Sequence, residues 1–204
     1  MPSPQISGLH PDLPRYWSAH AALDFVNSRF LDHLGSEREF DRLPSRVWRD
    51  GYLLRIGWGS KPIAGSDELA ALATFRARLR SLLENWSESG GMVADDLAWV
   101  NSNFAAAPTV LEAVPTGALT PSIVRRDWAG VRAQILFDAL DLMRSGEPDR
   151  LKICDNPHCS WMFYDGTRNR IRRWCDPGTC GNLVKVREHR ARRGPTDSSS
   201  SRTF

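Results

Sequence analysis

The sequence predicts a mainly α fold: a helical N-terminal domain carrying one small β-hairpin, followed by a small C-terminal module organised by cysteine. Three observations lead there. Apolar residues recur at helical spacing through most of the chain before residue 145. That regularity breaks over residues 109–124, where shorter β-prone runs flank Pro115-Thr116-Gly117. All four cysteines fall between 154 and 180. The 204 residues, 41% apolar and 25% charged, have the composition of a soluble chain and the length of one helical domain plus a small module. No apolar run approaches the ~18 residues a membrane span requires, and no secretory or lipidation signal stands out. A cytoplasmic protein without a membrane partner is expected.

Residues 1–14 contain four prolines and little periodicity, so they read as an extended lead-in. The helical domain covers 15–148. In its first helix Ala22, Phe25, Val26 and Phe30 form the apolar seam. Asp24 and Asn27 lie off that seam. They either make buried hydrogen bonds that fix the helix or line a small-molecule pocket, and buried polar groups more commonly serve their neighbours. After the charged stretch 36–42, Pro44 opens a second helix that Gly57 and Gly59 stop, with Val47, Gly51, Leu54 and Trp58 on one face.

The longest helix has Ser66 as its N-cap, Asp67 and Glu68 at its positive end and Gly90-Gly91 as its stop. Leu69, Leu72, Leu79, Leu82, Leu83 and Trp86 mark its buried side, which leaves Arg76, Arg78 and Arg80 on a solvated face, with phosphate or ligand contact as the alternative. Asp95 begins a shorter helix with Leu97, Trp99, Val100 and Phe104. Asp95 and Asp96 are helix N-terminal charges rather than a catalytic carboxylate pair, because adjacent helical side chains diverge by about 100°. The hairpin pairs 109–114 with 118–124. Asp127 then caps a last helix whose core face is Val131, Ile135, Leu136, Ala139, Leu142 and Met143, and residues 145–148 end it. Trp48, Trp86, Trp99 and Trp128 fall in helical segments and read as core, with an aromatic-lined ligand pocket as the alternative.

The C-terminal module, 149–194, carries the chemistry. Two Cys-x4-Cys pairs, Cys154/Cys159 and Cys175/Cys180, are separated by fifteen residues. Turn-forming Asp155, Asn156 and Pro157 lie inside the first pair and Asp176, Pro177, Gly178 and Thr179 inside the second. Four converging thiolates suit one structural Zn2+ in a tetrahedral site. His158 could replace a cysteine, but four thiolates leave it no position. The same four ligands leave no open site for a metal-bound water, so the ion's work is folding. With Trp161, Met162, Phe163, Tyr164 and Trp174 as its main apolar content, the module cannot bury enough surface alone. A strand pair over the first knuckle and a helix over 182–193 after the second predict a treble-clef-like zinc finger. A serine-rich tail, 195–204, is expected to be disordered.

Charge is concentrated in the same place. Residues 168–193 hold nine Lys or Arg against two acids, while the whole chain is only +3. Arg168, Arg170, Arg172 and Arg173 occupy the loop between the knuckles. Lys185, Arg187, His189, Arg190, Arg192 and Arg193 lie on the helix, where Lys185, His189, Arg192 and Arg193 share an arc of about 100°. Two basic edges on a rigid centre suit phosphate, which makes DNA the expected partner.

Trp174-Cys175 followed by Cys180-Gly181-Asn182 and a basic tail resembles the CGNR zinc finger of bacterial proteins, and Leu23-Asp24-Phe25-Val26-Asn27 resembles the opening motif of the ABATE domain that precedes it there. The resemblance implies a stress-induced transcription regulator. Leu183 stands where the family signature has Arg. Phosphate loops, nucleophile elbows and zinc-protease motifs are missing from the sequence, so an enzyme is not expected. Two functions of different class follow. One is a DNA-binding regulator whose helical domain senses a small-molecule effector or forms a homodimer. The other is a structural or protein-interaction module that docks on an acidic partner.

Overall fold

The computed structural model describes residues 17–36 and 38–193. The extended lead-in expected over 1–14 and the disordered tail expected over 195–204 lie outside them. The chain runs α1 (Ala21–Val26), β1 (Arg29–Leu31), β2 (Glu39–Asp41), α2 (Arg46–Arg55), α3 (Ser66–Ser89), α4 (Ala94–Ala106), β3 (Thr109–Ala113), β4 (Leu119–Ile123), α5 (Trp128–Ser145), β5 (Leu151–Ile153), β6 (Met162–Tyr164) and α6 (Asn182–Arg193). The fold is mainly α, as the apolar periodicity predicts, and the described residues also form three separate antiparallel strand pairs, of which β1–β2 is not expected from the sequence.

Every residue of α1 is buried, and the helix packs against α3 and α5. It is shorter than the seam predicted. Phe30 is not on the helix but in β1, stacked at 5.3 Å on Phe40 of β2, directly opposite in the register. A cross-strand aromatic pair, supported by the Arg29–Glu39 ion pair at 2.7 Å, outcompetes another helical turn. The spacing of Phe30 from Val26 matched a helix by coincidence.

The second helix also presents a different face. Ser45, one residue beyond Pro44, caps it by accepting the Trp48 N–H. Trp48, Tyr52 and Leu53 are buried, whereas Val47 is exposed and Leu54 is 80% exposed. The large rings decide the rotation of the helix: Trp48 stacks on Tyr52 at 5.1 Å, and both meet Trp17 and Phe25. Trp58 is buried, but lies past the helix end.

In α3 the predicted apolar stripe is correct from Leu72 to Trp86, with Leu69 half-buried, and Gly90 closes the helix at φ +75°. Ser66 is the first helical residue, and Gly65 holds the cap position. The solvated arginine face does not exist. Arg76 is buried and forks onto both Asp41 oxygens at 2.7 Å, and also donates to Ser28 Oγ. Arg78 pairs with Asp96 at 2.8 Å, and Arg80 bonds Glu84 and the Ser160 carbonyl. Asp96 therefore does more than complement a helix dipole: fully buried, it ties α4 to α3 through Arg78 and Asn85. Leu97 faces solvent, while Trp99 packs on Phe75 and Phe104 on Phe137.

The β3–β4 hairpin lies within one residue of its predicted bounds, with Gly117 at φ +79° in the turn. Asp127 caps α5 through the Gly130 N–H, as expected. A short 3-10 turn, Pro148–Arg150, then leads into β5. Here the body and the C-terminal module merge, because Leu151 of β5 and Met162 of β6 belong to the same core as α3 and α5. Residue 148 divides the sequence, but it does not divide the core.

Candidate metal centre and its basic surroundings

Each knuckle is built by a polar side chain. Asn156, fully buried, has its carbonyl accept the Cys159 N–H at 2.8 Å and its side-chain oxygen accept the His158 N–H. Asp176 accepts the Gly178 and Thr179 N–H groups and so shapes the turn Pro177–Gly181 that delivers Cys180 to α6. Gly181 lies under Trp174, whose ring would sit 3.1 Å from any Cβ added there. A side chain at 181 would force the indole to give way slightly.

The four sulfurs gather within 4.8 Å of one another, and His158 is not among them. Cys159 Sγ is 3.8 Å from Cys175 Sγ, which is 3.7 Å from Cys180 Sγ. A tetrahedron with zinc–sulfur bonds of about 2.3 Å has edges of about 3.8 Å. The donor set thus fits one Zn2+, and all four cysteines are free, with sulfur separations far beyond a disulfide bond of about 2.05 Å. Four thiols this close ionise as one coupled unit.

Residues 150–193 match the model of the CGNR zinc finger, and residues 19–146 match that of the ABATE domain, described as "Putative stress-induced transcription regulator". The chain belongs to the ABATE family. No curated protein matches it. Among the described residues no helix is long and apolar enough to cross a membrane.

Two residues of the CGNR finger matter more than the sequence signalled. Asp165 is fully buried and accepts from Thr167 N–H and Oγ1, Lys152 Nζ at 2.9 Å and Arg172 N–H at 2.9 Å. Burial would raise its carboxyl, but hydrogen bonds from Thr167, Lys152 and Arg172 outweigh it and hold the group well below the usual carboxylate range. Asp165 fixes the loop between the knuckles. Asn156 is the other: its side-chain amide points at Cys180 Sγ (3.5 Å) and donates to the His33 carbonyl (3.2 Å), linking a metal ligand to the ABATE hairpin. A buried Asp directly after a strand and an Asn inside a knuckle look like turn residues until their partners are known.

The basic residues of the inter-knuckle loop and α6 divide into two groups. Four are engaged within the protein. Arg170 pairs with Glu147 and Asp149, and Arg172 donates to the Trp174 and Cys175 carbonyls and covers the Phe163 ring. Arg173 pairs with Asp155 at 2.7 Å, and Arg187 reaches the Leu34 carbonyl at 2.6 Å and Asn156. Arg172 and Arg187 are therefore architectural, which corrects the expectation that every loop and helix cation faces a partner. Arg168, Lys185, His189, Arg190 and Arg192 are exposed. Arg173 remains largely exposed despite its pairing, and together with Lys185 it flanks the Trp174 ring at 5.3 and 5.7 Å. Arg193 ends α6, and its side chain lies outside the described ones. Leu183, in place of the signature Arg, is half-buried beside Val184 on the same helix side as Arg187, away from Lys185, His189 and Arg192.

Asp24 and Asn27 of the ABATE motif are both engaged by neighbouring groups. Asn27 donates to the Met162 carbonyl at 2.8 Å and accepts the Met162 N–H at 2.9 Å, so it clamps α1 to the finger's hairpin. Asp24 accepts the Ser18 N–H at 2.8 Å and faces Arg55 at 3.7 Å. Its burial pushes the carboxyl up to about 6, only partly offset by Ser18 and Arg55.

Proposed function

We propose that the protein is a DNA-binding transcription regulator that grips phosphates with the outer face of the zinc-stabilised finger. One observation supports this above all. The exposed Lys185, His189 and Arg192 lie on one side of α6, beside Arg173, Trp174 and the exposed Arg168, while the opposite side of the helix is anchored by Arg187. A cationic face held rigid by a metal costs little conformational entropy when it meets a polyanion, and each neutralised phosphate releases counterions. Binding, not catalysis, is the role proposed for both modules, and the ABATE body acts as the rigid carrier of the finger.

The test is binding of a labelled genomic duplex over a salt series. With Z phosphates held, the slope of log affinity against log salt is about −0.9Z. Lys185→Glu with Arg192→Glu should flatten that slope and weaken binding at low salt. Arg187→Ala should instead lower stability. Failure to bind any duplex at low salt, with capture of an acidic protein instead, would sink the reading.

A further inference from the structure

A cavity of about 210 Å³ lies beside the four sulfurs, between the β1–β2 hairpin and the finger. Its walls include Phe30, Trp161 and Thr179 together with Cys159, Cys175 and Cys180. Cys154 is not part of the wall. The space therefore meets the cluster from outside and is not the hollow at its centre. Of the four cysteines only Cys175 is partly exposed, and the other three are buried. A closed structural site would shield its ligands, but here Cys175 is partly exposed and lines a cavity wide enough for solvent-sized molecules.

We propose that Cys175 is an oxidation site for small peroxides, closing onto Cys159 as a disulfide and releasing the metal; this rests on the zinc reading above. The Cys175 thiolate attacks one oxygen of hydrogen peroxide, breaking the O–O bond and forming a sulfenic acid, and the departing hydroxide takes a proton to become water. The Cys159 thiolate, 3.8 Å away, then attacks the Cys175 sulfur. The S–S bond forms, and the sulfenic oxygen leaves as a second water after protonation. Two electrons pass from the two sulfurs to the peroxide. Cys180 is as near, at 3.7 Å, but its sulfur faces the Asn156 amide. That donor lowers its readiness to attack. With two ligands spent, Cys154 and Cys180 cannot hold the ion, and both the loop carrying Arg168 and helix α6 lose their common anchor.

The experiment exposes the zinc-loaded full chain to hydrogen peroxide, follows zinc with a colorimetric chelator and maps the cross-link by peptide mass spectrometry. Zinc should leave in step with a Cys159–Cys175 cross-link and a loss of two hydrogens in mass. Thr179→Tyr, placed at the cavity rim, should keep its zinc and release it several-fold more slowly. Retention of zinc at peroxide levels that oxidise glutathione in the same tube would overturn the proposal, as would a cross-link elsewhere or an unslowed Thr179→Tyr. Protein that purifies without zinc would overturn the metal reading instead, so the two failures are distinguishable.

Discussion

Replacing Asn27 tests how body and finger are joined. The side chain is 97% buried, and its two amide atoms satisfy both backbone groups of Met162, at 2.8 and 2.9 Å. Asn27→Ala orphans a buried carbonyl and a buried N–H at about 1–3 kcal/mol each, so a loss of about 3 kcal/mol is expected after partial relaxation. Asn27→Asp is the sharper probe, because it is nearly isosteric. It keeps the acceptor for the Met162 N–H but turns a second oxygen toward the Met162 carbonyl, so it should be at least as damaging as Ala. Urea unfolding of the zinc-loaded variants, followed by tryptophan emission, measures both. If Asn27→Asp lies within about 0.5 kcal/mol of the parent, the clamp is not what joins the modules.

Other outcomes follow from the same geometry. Arg76→Ala should cost about 2 kcal/mol, less than a fully buried pair because Asp41 stays partly hydrated, and Arg76→Lys should not restore it since the two-pronged contact is lost. Asp24 has its pKa raised from 3.8 to about 6, so the folded state holds that proton more tightly than the unfolded chain. Its contribution is complete below pH 3.8 and is lost as pH rises through about 6. Asp24→Asn should flatten the stability profile in that window, as thermal melts across pH would show. Chelation of zinc should abolish amide protection in α6 and the loop between the knuckles while the centre of α3 stays protected, as read by hydrogen exchange. Uniform loss of protection would show that the metal holds the whole chain together.

What could be read in the sequence was set by how local each signal is. The two cysteine pairs and their turns announce the metal site by spacing alone, and Gly90 at the end of α3, Asp127 at the start of α5 and Gly117 in the β3–β4 turn mark those elements. Phe30 was misassigned because a residue four positions past Val26 satisfies helical spacing whether or not the chain has already left the helix. The face of α2 went wrong because Val47 and Leu54 are apolar but small beside Trp48 and Tyr52, and ring area decides which side turns inward. The arginines were the hardest to place. Arg76, Arg172 and Arg187 bond partners 35, two or three, and 153 positions away, and nothing in a linear pattern separates a guanidinium that stitches the fold from one left exposed.

The merging of the first finger strands into the body sets a limit on surgery. Cutting the chain near residue 148 would strip Leu151 and Met162 from a shared apolar interior and leave Asn27 facing solvent. The severed halves would each carry a raw, greasy scar. The finger of this molecule is thus not a detachable attachment on a leash, and its pitch and reach are dictated by the scaffold that it grows out of.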